Sequence, residues 1–216
     1  MLNEHEKRDE PYIYVTWLPK FLIGENHCYW KAWFKSHYKY DKLPSDFDLT
    51  IWTMSHNSLL IRCKELLEID GWKVKIEDQN SFKIEMTTNK NEKYILAGKP
   101  DIIAMKKLKN DKELILIEDI KTGKQRGSDS IQVMLYMMII ADLFAINFEE
   151  NIVEGVVIYN NNTINIPFSK ITDNFKKEVI QLLEKISGGV APSKCPSKKE
   201  CQWCDISKNY CNERIK

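Results

Sequence analysis

Four consecutive aliphatic residues, Leu114-Ile115-Leu116-Ile117, run directly into Glu118-Asp119-Ile120-Lys121. Side chains on a strand alternate between its two faces, so an unbroken apolar run needs cover on both sides. This predicts an α/β (α+β) fold in which a central mixed sheet is flanked by helices. The rest of the chain supplies matching elements. A long helix is expected over 46–69, capped by Ser45 or Asp46 and closed by Gly71. Strands are expected over 73–77 and 81–87, with a further extended stretch over 94–105 broken at Gly98 and Pro100. A polar turn covers 106–112, and Ser128 or Asp129 caps a helix that runs to about 144. A hairpin over 154–159 and 163–167 turns at Asn160-Asn161-Asn162. A last helix over 171–186 stops at Gly188-Gly189.

Residues 1–216 read as one domain in three parts. These are a helical, aromatic segment over 12–45 carrying Cys28, a core over 46–189, and a cysteine-rich subregion over 190–216 where aliphatic residues nearly vanish. With 43% hydrophobic and 29% charged residues, a chain of 216 residues has the means for one substantial core. A formal net charge of +1 gives no global pull toward nucleic acid, so any such pull must be local. The longest apolar run, 133–146, is broken by Asp142 and falls short of the ~20 residues a bilayer needs. The first residues are charged and lack the apolar core of a signal peptide. No membrane association and a cytoplasmic location are therefore expected. In such a reducing compartment, clustered cysteines more often hold a metal than form disulfides.

Strand parity places Asp119 and Lys121 on one face and Glu118 on the other, so Asp119 is the partner of Lys121. Asp101, eighteen residues before Asp119, lies in the earlier extended stretch and supplies a second carboxylate. Two carboxylates and the Ile120 carbonyl make a hard oxygen site suited to Mg²⁺ or Mn²⁺. Lys121 is placed to orient a water and to stabilise developing negative charge. Gln132 and Tyr136 follow at helical spacing. Glu118, Glu65 and Glu68 are expected to be solvated or salt-bridged.

At these residues the chain resembles the PD-(D/E)XK nuclease superfamily, with Pro100-Asp101 as the first half of its signature and Asp119-Ile120-Lys121 as the second. Thr122-Gly123 looks like the continuation found in the RecB-like branch. Gln132-x-x-x-Tyr136 resembles that branch's following helix, whose glutamine and tyrosine face the substrate. His56 matches a helix histidine that completes the metal shell there. The resemblance covers roughly residues 12–216 and implies a single RecB-like nuclease domain with a restriction-endonuclease-like core. Members of the CRISPR-adaptation and phage-encoded type are similar. It further implies an exonuclease acting on single-stranded DNA or DNA ends in a bacterial, archaeal or phage-infected host cell. A homo-oligomer, or a complex with other DNA-processing proteins, would be its setting.

Cys195, Cys201, Cys204 and Cys211 crowd the C-terminus, and Cys28 lies far upstream. Spacing permits two quartets. A local one uses all four late cysteines and suits a Zn²⁺ knuckle; a split one joins Cys28 to Cys201, Cys204 and Cys211. The split quartet resembles the RecB-like iron–sulfur nucleases, which implies a structural [4Fe–4S] cluster with Cys195 as an alternative ligand. Cys63, within a helix pattern, reads as a buried thiol. Lys31, Lys35 and Lys39 recur at helical spacing among Trp30, Trp33, Phe34 and Tyr38. Lys124 and Arg126 form a second basic run. These are candidate DNA contacts, the lysines for phosphates and the aromatics for bases or for the core. The rival function is a non-catalytic nucleic-acid-binding module built on a structural zinc site.

Overall fold

The computed structural model describes residues 6–45 and 48–215. In chain order these form β1 (Glu6–Lys7), β2 (Tyr12–Tyr14), α1 (Pro19–Leu22), α2 (Tyr29–His37), β3 (Tyr38–Lys39), α3 (Leu49–Ile69) and β4 (Lys73–Ile76). Then come β5 (Phe82–Thr87), β6 (Lys93–Gly98), β7 (Ile102–Lys107), β8 (Glu113–Lys121) and α4 (Gly127–Leu143). The last are β9 (Asn151–Tyr159), β10 (Thr163–Pro167), α5 (Asp173–Ser187) and α6 (Lys198–Cys201). The fold is thus mixed α and β, with three sheets among the described residues. No described helix is long and apolar enough to cross a membrane. The chain divides into two compact units. One takes the residues before 48, Lys83–Ala97 and the chain from Lys176 onward; the other takes Asp48–Phe82 and Gly98–Phe175.

The second of these units is built on a five-stranded sheet in the order β10-β9-β8-β7-β4. Central β8 runs antiparallel to β7 and parallel to β9, the parallel step being made through α4. Both faces of β8 are covered, as its aliphatic run requires. On one face Leu60 of α3 packs against Ile102, Ala104, Leu116 and Ile120. On the other face α4 lies against β9 at Gly155. A Cβ at Gly155 would stand 2.4 Å from both Met137 Sδ and Val133 Cγ1. Helix α4 is accordingly buried through Val133, Leu135, Tyr136, Met137 and Ile140, whereas α3 buries only His56 and Leu60 fully. Asp48 caps α3, its Oδ1 accepting from the N–H groups of Thr50 and Ile51. The expected cap at Asp46 lies outside the described residues. Gly71, with φ of 82°, ends the helix region in the left-handed conformation that glycine adopts freely.

The other unit holds a three-stranded sheet, β2-β6-β5, and the small β1-β3 pair. Its C-terminal tail has few aliphatics and packs on aromatics instead. Ile206 is fully buried among Trp30, Trp33 and Phe34 of α2, with Cys28, Cys204 and Cys211 at the margin. Trp33 Nε1 donates to the Gly188 carbonyl at 2.7 Å, and Ser36 Oγ donates to the Ile186 carbonyl at 2.8 Å. These bonds fix α2 to the end of α5. Helix α2 stops at His37, so Lys39 lies on β3 and pairs with Glu6. The expected ladder of Lys31, Lys35 and Lys39 on one helix therefore does not exist.

Candidate active site and cysteine centre

Pro100 makes the corner on which the acidic site is built. The β7–β8 register pairs Ile102 with Glu118, and its continuation brings Pro100 opposite Ile120. Proline has no N–H to give the Ile120 carbonyl, and its own carbonyl accepts from Asn80 Nδ2. The Ile120 N–H donates to Asp101 Oδ2 at 2.6 Å. N–H and C=O of one strand residue point the same way, so the Ile120 carbonyl faces this corner too, and Pro100 has no N–H to offer it. His56 of α3 is buried and places Nε2 3.3 Å from the same Asp101 oxygen. That hydrogen bond raises the His56 pKa, against burial, which lowers it.

Asp119 sits beside this corner, 1% exposed. Lys121, on the same strand face, brings Nζ to 2.6 Å from Asp119 Oδ2. The contact is an ion pair, and Oδ2 has no other partner among the described residues. Burial raises the Asp119 pKa while the Lys121 charge pulls it down, and the net shift is upward. Gln132 links the pair: its Nε2 donates to Asp119 Oδ1 at 2.7 Å, and its Oε1 accepts from Lys121 Nζ at 3.3 Å. Tyr136, 1% exposed, donates its hydroxyl to the Lys99 carbonyl at 3.3 Å. It supports the Gly98-Lys99-Pro100 corner from below, and the expectation that it faces substrate is corrected accordingly. The sequence reading did not reach Asn80. This residue is 5% exposed, and its Nδ2 donates to the carbonyls of Lys75 at 2.9 Å and Pro100 at 3.3 Å. An asparagine two residues before Phe82 looks like turn chemistry, and only the fold shows that it holds the Pro100 corner.

Glu118 is neither solvated nor salt-bridged. It points to the α3 face, 6% exposed, and Oε2 has no hydrogen-bond partner among the described residues. Burial pushes its carboxyl up to about 7. Its charge, after burial, helps push the Cys63 thiol up to about 11. Below pH 4.5 folded and unfolded chains both carry the Glu118 proton. As pH rises the unfolded chain ionises first, so stability falls until the folded carboxyl ionises near pH 7. Glu118→Gln is therefore expected to gain on the wild type by up to about 3 kcal/mol across that window, at ~1.4 kcal/mol per pKa unit. Urea midpoints measured from pH 4 to 8 check this; a constant gap between the two proteins would contradict it.

In the other unit Cys28, Cys195, Cys201, Cys204 and Cys211 line one small cavity, with Lys31, Lys194 and Arg214 in its wall. The five differ in their settings. Cys201 is buried, Cys28, Cys204 and Cys211 are half-buried, and Cys195 is exposed. Burial raises the Cys28 pKa, and the nearby backbone N–H groups of Cys195 and Lys31 offset that only in part. Cys211 is likewise raised by burial and lowered by the Lys194 charge and the N–H groups of Glu213 and Arg214. The Cys195 N–H lies near the Cys28 sulfur, while the Cys195 side chain is exposed. Among the described residues no three His, Cys, Asp or Glu side chains are gathered closely enough to hold a single ion.

No protein-family model matches this chain, and no curated protein matches it. Among solved structures it is similar to one described as "Crystal structure of SSO0001". The two share 15% identical residues and a TM-score of 0.49, covering 92% of this chain and 85% of that one. That likeness is too distant to carry fold or function across.

The basic candidates fall in different settings. Lys124 and Arg126 are exposed in the loop between β8 and α4, directly after Lys121. Lys35 is engaged by Asp205 at 3.1 Å and lies over the Trp17 ring, and Lys31 borders the cysteine cavity. Trp30, Trp33 and Phe34 are core residues. The stacking role that the sequence left open to them is thereby closed.

Proposed function

We propose that this chain is a metal-dependent nuclease of the PD-(D/E)XK type that hydrolyses DNA phosphodiesters, on single strands or at ends. One observation carries the reading. Asp101 accepts from the backbone N–H of Ile120, the residue between Asp119 and Lys121, so two carboxylates, a strand carbonyl and an ammonium meet at one corner. This donor set is all oxygen and includes the buried Oδ2 of Asp119, whose one partner among the described residues is the Lys121 ammonium. It fits Mg²⁺ or Mn²⁺, which keep several waters and need few protein ligands. Asp101, Asp119 and the Ile120 carbonyl would hold the ion. When bound, it polarises the phosphoryl oxygen and acidifies a water.

The remaining tasks belong to the protein. Lys121, half-buried at the strand end, donates to the attacking water and to the charge that develops on phosphate. Gln132 keeps Lys121 and Asp119 in register. His56, expected to complete the metal shell, instead has Nε2 on Asp101 Oδ2 and holds that carboxylate, while Tyr136 and Asn80 hold the Lys99-Pro100 backbone. Lys124 and Arg126 lie where the adjoining phosphates of a strand would pass.

For the second centre, Cys28, Cys201, Cys204 and Cys211 would hold a [4Fe–4S] cluster with a structural role. What supports this set over the local one is the exposure of Cys195, where Cys201 is buried and Cys28, Cys204 and Cys211 are half-buried. A zinc ion needs four sulfurs about 2.3 Å from one point, whereas a cluster takes each sulfur at a separate iron.

The test uses anaerobically purified protein with end-labelled single- and double-stranded DNA, with and without Mn²⁺. Metal-dependent shortening of the labelled strand is expected, with single strands or frayed ends preferred. Intact substrate under both Mn²⁺ and Mg²⁺ overturns the proposal.

A further inference from the structure

Glu200 is a buried acid with an unusual task. It sits on α6, one residue before Cys201, and is 7% exposed. Its carboxylate leaves its own helix and crosses to the start of α2. There Oε1 accepts from the His27 N–H at 2.8 Å and Oε2 from the Cys28 N–H at 3.3 Å. These N–H groups precede the first turn of α2 and have no partner within that helix. Burying a carboxylate is costly, and two charge-assisted bonds at the positive end of a helix offset that cost. Glu200 is itself anchored, its N–H donating to Ser197 Oγ at 3.2 Å. The tie therefore joins the backbone of one proposed ligand, Cys28, to the residue beside another, Cys201. It is made wholly of protein atoms.

We propose that Glu200 is a positioning residue that presets Cys28 against Cys201, Cys204 and Cys211 before any inorganic group is bound. The inference rests on the reading that these cysteines hold such a group. It accounts for how a cysteine near one chain end meets a triplet near the other without the metal doing the gathering. It also gives a buried charge a purpose that packing alone does not supply.

Full-length wild type, Glu200→Ala and Glu200→Gln are to be purified anaerobically. Iron, zinc and acid-labile sulfide per chain are measured, together with the rate at which a chelator bleaches the visible absorbance. Losing a partner of this kind weakens metal binding by roughly 10–100-fold, so bleaching of Glu200→Ala is expected to accelerate by about that factor. Glu200→Gln keeps one acceptor oxygen and should fall between. The decisive measurement is the same substitution in a Cys28→Ser background. There it should add nothing, because the tie acts through Cys28. Equal loading and bleaching in wild type and both variants overturns the inference, as does an undiminished effect in the Cys28→Ser background. If Glu200→Ala fails to fold, the glutamine variant and its Cys28→Ser partner decide alone. A wild type free of iron and zinc overturns the underlying reading instead.

Discussion

Replacing Lys121 by alanine should lower Mn²⁺-dependent DNA cleavage by about 10²–10³-fold, the usual loss when one preorganised charge donor is removed. The chain should stay folded. Lys121 ends β8 with its side chain 25% exposed, so truncation opens no core cavity. What it does remove is the counter-charge 2.6 Å from Asp119. Burial already raises the Asp119 pKa, and losing Lys121 raises it further. At neutral pH the Lys121→Ala protein should therefore bind Mn²⁺ through a more protonated acid, and raising the pH should restore part of the metal affinity without the rate. Asp119→Asn is the companion experiment. It keeps the size of the side chain and the acceptor for Gln132 but removes a charged metal ligand. Its Mn²⁺ saturation should shift at every pH. Initial rates on a labelled oligonucleotide, taken across Mn²⁺ concentration and pH, separate the two variants. Full activity in either one ends the nuclease assignment.

Gly155→Val should destabilise the fold by about 1–3 kcal/mol through overpacking and should weaken catalysis at a distance. The local preference runs the other way. Valine is a better strand residue than glycine by up to about 1 kcal/mol. Packing decides the sign, because even a Cβ at Gly155 would meet Met137 and Val133 at 2.4 Å and both are fully buried. Neither can swing out to solvent, so α4 must move away from β9. Val133 adjoins Gln132, whose 2.7 Å bond to Asp119 depends on where α4 lies. Urea unfolding reads the stability, and the cleavage rate under conditions where the variant is still folded reads the misplacement. A variant as stable and active as wild type would show that α4 is not seated on Gly155.

Much of the unit built on the five-stranded sheet was legible beforehand because its signals are local. The run Leu114 to Ile117 announces a strand covered on both faces, and β8 is that strand. The Asn160-Asn161-Asn162 turn announces the β9–β10 hairpin. Parity alone paired Asp119 with Lys121. Where signals were local but ambiguous, the reading went astray. Tyr136 has helical spacing with Gln132, but spacing does not say which member reaches the surface. Glu118 looked like an ordinary strand acid and is buried, its Oε2 without a hydrogen-bond partner among the described residues. Lys39 continued a lysine period that the helix itself does not continue.

What the sequence by itself determined is the alternation and hydrophobic run of β8, and with them which acid shares a face with the lysine. These follow from the two-residue period of a strand and need no other part of the chain. What only the tertiary structure decided is which distant groups arrive there: Asn80 at Pro100, His56 at Asp101, and Glu200 at Cys28 across 172 residues. Such pairings are set by how elements pack, and a buried polar side chain takes whichever partner packing brings within hydrogen-bond reach. No spacing along the chain encodes that choice.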